Sequence, residues 1–121
     1  MIAPCGAAEL RPRMVEDART RARLIEEARS LPSLLLSFAA AANAVMLGAG
    51  YISPNSGFHT RAEALAIARD MHLPDGTFWP VPCLNLVRSA AGLAAGQRVA
   101  LRDPNLPGAP VLAAALARGY G

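Results

Sequence analysis

The sequence contains no lysine: all twelve of its basic residues are arginine, set against nine acids in 121 residues for a formal charge of +3. A Walker-type phosphate loop is therefore excluded, because the G-x-x-x-x-G-K pattern needs the lysine amine on the nucleotide phosphates. Histidine is nearly as scarce. His59 and His72 match no metal-binding pair on a helix face, and helix-end or solvent-exposed positions are the expectation for both. Cys5 and Cys83 fit neither a zinc-ligand nor a C-x-x-C spacing, which excludes a zinc site or redox dithiol built from them and leaves two reduced thiols. Aromatics make up 5% of the chain, so Phe38, Phe58, Phe78, Trp79, Tyr51 and Tyr120 are expected to supply much of the bulky packing. The apolar fraction is 53%, but alanine dominates it and brings little area per residue, which predicts a thin core.

The charge pattern also narrows the function classes. Arg19, Arg21, Arg23 and Arg29 alternate with Glu16, Asp17, Glu26 and Glu27, and Arg23 can reach Glu26 or Glu27 one helical turn on. That is a solvated helix face rather than a phosphate groove, and no nucleic-acid partner is expected. The start Met1-Ile2-Ala3-Pro4-Cys5-Gly6 lacks the positive charge and long apolar core of a secretory signal, so a cytoplasmic location is the expectation. Ser53 or Ser56 could serve as a nucleophile only with a base such as His59 and an orienting carboxylate such as Asp70 or Asp75. The spacing gives that arrangement no support, and turn serines explain both.

The length fits one domain spanning 1–121. Met14, Ala18, Ala22, Ile25 and Ala28 recur at helical steps and predict an amphipathic helix over 14–30, stopped by Pro32. Between Leu31 and Ile52 there is no charge, and about 20 such residues are enough to span a bilayer. Pro32, Ser33, Ser37, Asn43 and the small residues Gly48, Ala49 and Gly50 interrupt the run. It reads better as a short inner strand at Leu34-Leu35-Leu36, an N-cap at Ser37 and a helix to about Leu47. A turn-forming loop follows over 48–57, and Thr60-Arg61-Ala62-Glu63 is a capping box that opens a helix with Ala64, Ile67, Ala68 and Met71 as its apolar stripe. Leu73-Pro74-Asp75-Gly76 fits a type I turn. Strands are predicted over Phe78–Val87, with Pro80 and Pro82 confining its first half to an edge, and over Val99–Arg102 and Pro110–Ala115. Helices early and strands late make the class α+β.

Several ordered stretches carry a family resemblance. Gly48-Ala49-Gly50-Tyr51-Ile52-Ser53-Pro54-Asn55-Ser56-Gly57-Phe58 resembles the G-x-(Y/F)-S-P-L-x-G-F-M signature of ATP sulfurylases (sulfate adenylyltransferases), through Gly50, Tyr51, Ser53, Pro54, Gly57 and Phe58. The segment from Leu73 to Pro82 is similar to the family's D-G-(T/S)-x-(F/W)-P-x-P stretch through Asp75, Gly76, Pro80 and Pro82, and Val99-Ala100-Leu101-Arg102-Asp103-Pro104 to its V-A-L-R-D-P strand and turn. Pro4 to Leu10 and Leu31-Pro32-Ser33 also resemble it, particularly its dissimilatory branch in sulfur-oxidising bacteria. The matches reach from residue 4 to about 113. His59 and Asn55 depart from the signature, which has methionine and leucine there, and the tail from Leu116 to Gly121 is unlike the family's continuation.

The resemblance implies an N-terminal PUA-like pseudo-barrel of short strands with two or three helices in its first half. In the family, a larger α/β domain follows and joins ATP and sulfate into adenylyl sulfate with release of pyrophosphate, or runs the reverse. That domain's Gln-x-Arg-Asn and His-x-x-His-type motifs have no counterpart here: Gln97, the only glutamine, is followed by Arg98-Val99-Ala100. No catalytic, cofactor-binding or metal-ligating residue carries over, and the signature residues are expected to be structural. The expectation is a truncated product, fragment or split remnant of a sulfate adenylyltransferase, inactive alone. Its partner would be a sulfurylase catalytic domain in trans or further copies of itself. A stand-alone PUA-like RNA-binding module is the alternative, supported by fold analogy alone. A small membrane protein anchored by 31–52 is the third reading.

Overall fold

A computed structural model of the chain describes residues 2–4, 6–87, 89 and 92–116. Cys5, Tyr120 and the tail beyond Leu116 lie outside them. An arm comes first: the Arg13 amide donates to the Gly48 carbonyl at 2.7 Å and the Arg11 amide to Ser53 Oγ at 2.9 Å. Because the arm is spent on these contacts, helix α1 (Ala18–Ala28) begins four residues later than the hydrophobic spacing predicts, where Asp17 accepts from the Thr20 amide at 2.6 Å as its N-cap. Hydrogen bonding from Thr20, through its side chain first and then its amide, holds the Asp17 carboxyl below its ordinary value.

The inward face of α1 is only partly the expected one. Ala28 is buried as the spacing predicts, whereas Met14, Ala18, Ala22 and Ile25 are exposed and Leu24 and Glu27 turn inward beside it. Glu27 forms a partly exposed ion pair with Arg98. Arg29, not Arg23, meets Glu26, at 2.8 Å.

Strand β1 (Ser33–Leu35) leads through Ser37, whose hydroxyl accepts from the Ala40 amide at 3.1 Å, into α2 (Phe38–Ala49). Gly50, at φ 79°, closes that helix in the left-handed conformation. Helix α3 (Arg61–Asp70) opens with the expected capping box, Thr60 and Glu63 satisfying each other. Its buried residue is Ile67, whereas Ala68 and Met71 of the expected stripe are exposed and Met71 caps the C-terminus at φ 55°. Strands β2 (Arg98–Arg102) and β3 (Val111–Leu116) complete a sheet of order β1-β2-β3, with β1 and β2 parallel and β2 and β3 antiparallel. The α+β class therefore holds.

Phe78–Val87 does not form the expected strand. Phe78 makes one isolated bridge to His72, the Trp79 amide donates to the Met71 carbonyl and the His59 amide to the Cys83 carbonyl, so the segment is pinned bond by bond. Pro80 and Pro82 withhold two donors from any continuous ladder, which accounts for the difference.

The core is thin, as the alanine content implies. Leu36, Ala40, Ala41, Val99 and Leu101 form its centre, with Leu34, Phe58 and Leu112 packed around them. Ala40 and Ala41 let α2 lie close against the sheet. The aromatics contribute less than expected: Phe58 packs on the core, but Phe38, Tyr51 and Phe78 are exposed. Among the described residues no helix is long and apolar enough to cross a membrane.

Candidate functional site

Two of the sequence's motif segments, distant along the chain, meet at a cleft of about 380 Å³. Pro54, Asn55 and Ser56 supply one wall, Leu73, Asp75 and Thr77 another, and Glu63 at the start of α3 lies between them with His59. The N-terminal arm contributes Gly6 and Arg11. Gly6 fits there because it sits at φ 74° and an added Cβ would stand 2.7 Å from Thr77 Cγ2.

Both carboxylates of this cleft are committed to building it, whereas the Asn55 amide nitrogen is buried without a hydrogen-bond partner. Ser53, behind the wall, is buried; its hydroxyl donates to the Gly50 carbonyl at 2.7 Å and accepts from the Arg11 amide. The loop is thereby fastened to the arm. Gly50 is fixed by the same crossing, since a Cβ there would lie 2.8 Å from Pro12 N. Asp75 accepts from the Thr77 amide at 2.9 Å, and hydrogen bonding from Thr77 holds its carboxyl below the ordinary value. Gly76 takes φ 87° in the turn that the sequence predicts. Glu63 Oε2 accepts from the Thr60 amide at 2.7 Å and from the Thr60 hydroxyl at 3.0 Å.

His59 stands at a helix end, as one of the two expected placements has it, but it is buried and not exposed. Its Nδ1 accepts from the Cys83 amide at 2.8 Å, which places the ring proton on Nε2, and its ring meets Trp79 edge to face with centroids 6.2 Å apart. His59 precedes the N-cap Thr60, a position whose side chain commonly packs inward to fix the entry to a helix, and that was the signal available in the sequence. Burial pushes the neighbouring Cys83 thiol up from its ordinary value. His72 behaves as expected, exposed just past the end of α3. Arg11 of the cleft belongs to no motif and is found only by the fold.

The remaining signature residues are distributed. Tyr51 projects outward, Pro54 follows a cis peptide bond, and no atom lies near where a Cβ on Gly57 would stand. Phe58 packs on the core, while Pro80 and Pro82 belong to the bond-by-bond segment. Leu101, Arg102, Asp103 and Pro104 sit elsewhere, at the end of β2. There Arg102 donates to Ser33 Oγ at 2.9 Å and to the Ala109 carbonyl at 3.2 Å, and Asp103 Oδ1 accepts from the Asn105 amide at 2.8 Å. These bonds tie the β2–β3 loop to β1. Among the described residues no cluster of three or more His, Cys, Asp or Glu could hold a metal ion.

Electrostatically, the cleft pairs one guanidinium, Arg11, with two carboxylates, Glu63 and Asp75. The amide end of a helix is a common anion site, but at α3 the Glu63 carboxylate already occupies that position.

Comparison with known proteins agrees with the residue-level resemblance. The chain is 57% identical to a sulfate adenylyltransferase of Allochromatium vinosum over 93% of its own length and 28% of the relative's. To a sulfate adenylyltransferase of Alcanivorax borkumensis it is 46% identical over the same shares. Among solved structures, a hexameric APS kinase from Thiobacillus denitrificans superposes with a TM-score of 0.77 at 36% identity, covering 94% of this chain and 22% of that one. The chain thus spans little more than a quarter of the relatives it matches. A family model described as a PUA-like domain matches residues 2–117. With nearly its whole length inside that match, the chain belongs to the PUA-like domain family, in the form found within sulfate adenylyltransferases.

Proposed function

We propose that this chain is the non-catalytic module of a sulfate adenylyltransferase, a single domain that supports a catalytic region while the adenylyl transfer between ATP and sulfate takes place outside it. The observation that carries this reading is how the cleft's polar groups are used. Glu63 and Asp75 are engaged in holding a helix end and a turn, Ser53 behind the wall holds the loop, and the cleft's carboxylates outnumber its single arginine. Adenylyl transfer moves groups between anions, and its stabilisation requires several converging cationic and amide donors. A cleft with this charge balance suits a scaffold better than an anion cradle.

The partner is then a sulfurylase catalytic region, joined to this domain in a longer chain or supplied separately. Self-association is the alternative, lent weight by the hexameric name of the structural relative.

Pyrophosphate release by the purified chain, supplied with ATP, magnesium and sulfate, tests the assignment. The rate is expected to equal the buffer control at every protein concentration. A rate that rises in proportion to the chain would place the chemistry within it and overturn the proposal.

A further inference from the structure

With no ladder to hold it, the segment over 78–87 is joined to the start of α3 by two hydrogen bonds between one pair of residues. The His59 amide donates to the Cys83 carbonyl at 2.8 Å, and the Cys83 amide donates back to His59 Nδ1 at 2.8 Å. Of the two bonds in this clasp, only the second can be undone by a proton. A backbone N–H needs a lone pair, and Nδ1 offers one only while the imidazole is neutral, since the imidazolium carries a hydrogen on both nitrogens. Two N–H groups would then face each other in a buried place, which loses the bond and leaves both donors desolvated. His59 is also a residue at which this chain departs from the sulfurylase signature, where methionine stands and nothing titrates.

Imidazole ordinarily changes charge near about pH 6.5, and the surroundings of His59 act in both directions. Burial and the amide end of α3, whose N-cap is the next residue, oppose the charge, as does Arg11 of the arm. The carboxylates of Glu63 on α3 and of Asp75 in the turn line the same cleft and favour it. The 78–87 segment presents Trp79, which carries no charge, and the Cys83 thiol, which burial keeps protonated through this range. We infer that His59 is a proton-operated latch: neutral, it holds the 78–87 segment to the start of α3, and on protonation it gives up the Cys83 amide and loosens that segment beyond Trp79 while the helices and the sheet stay folded. Neither His59 nor Cys83 belongs to the core centred on Leu36, Ala40, Ala41, Val99 and Leu101, which keeps the change local. The other ties of the segment, from the Trp79 amide to the Met71 carbonyl and from Phe78 to His72, lie at its start and contain no group that a proton removes.

The chain has one tryptophan, whose ring meets His59 edge to face with centroids 6.2 Å apart, so its emission reports on the latch. The test follows the His59 ring and the Cys83 amide by NMR, Trp79 fluorescence, and far-UV circular dichroism between about pH 8 and about pH 5. The ring is expected to titrate with one midpoint, at which the Cys83 amide shifts and Trp79 emission changes while the dichroism stays constant. Hydrogen exchange at the Cys83 amide, corrected for its intrinsic rate, is expected to quicken about tenfold across that midpoint. His59→Met, which puts back the residue of the signature, is expected to abolish the transition, and His72→Gln, at an exposed position, to keep it. A Cys83 amide that does not respond while the ring takes its proton would overturn the inference. So would a ring that stays neutral until the dichroism of the whole fold collapses, or a transition that survives in His59→Met. The first two of these results are read on the unsubstituted chain and do not depend on how any variant folds.

Discussion

Ser53 shows how a single hydroxyl can decide a loop. It donates to Gly50 and accepts from Arg11, so Ser53→Ala leaves a partly buried amide and a carbonyl without their partner. The expected cost is about 1–3 kcal/mol in urea unfolding. Gly50→Ala is expected to cost at least about 1 kcal/mol, since φ is positive and the arm's backbone stands where the methyl would go. An unfolding midpoint equal to wild type in either variant would contradict the role given to this crossing. The sequence displayed the glycine and the serine as turn formers but not the arm that makes them necessary, because that contact is with a segment roughly 40 residues away that bears no motif.

Cys83 provides a residue-scale prediction about pH. Burial raises its thiol above the ordinary value of 9.0, so the unfolded chain loses that proton first as pH rises. The stabilisation is therefore complete below 9.0 and is lost as pH climbs through the folded value. In a Cys5→Ser background, which leaves one thiol, iodoacetamide at pH 8 is expected to modify native protein at least about tenfold more slowly than protein in urea. Equal rates would show that Cys83 is not shielded.

At the scale of elements, the sequence was most legible where one local rule decides the outcome. The capping box at Thr60 and Glu63, the Ser37 cap and the turn at Asp75–Gly76 each stand where short-range chemistry puts them. Thr60→Ala is expected to cost about 0.5–2 kcal/mol, read from the thermal unfolding curve. An unchanged curve would mean that the box contributes nothing to the start of α3. Legibility failed where tertiary contacts choose among acceptable faces. Several small apolar stripes run along α1, which packs against β3 with Ala28 buried and with Met14 and Ile25 left exposed. The segment over 78–87 has strand composition, but its two prolines prevent a ladder and His59 and Met71 take its hydrogen bonds instead.

At the scale of the whole molecule, the candidate site could not be read from motifs alone. The signature loop and the Asp75 turn are about 20 residues apart in sequence, and only the fold joins them, through α3, into one cleft. The resemblance located the residues, whereas the hydrogen bonds show what each of them holds. On the function proposed above, this cleft is a scaffold and not a cradle for ATP or sulfate. Amide NMR shifts of residues 50–60 and 73–77 in the isolated chain, followed during titration with magnesium ATP and then with sulfate, test it most directly. No saturable shift is expected at any of those amides into the millimolar range. Saturable shifts that converge on the cleft, and that Arg11→Ala abolishes, would contradict it.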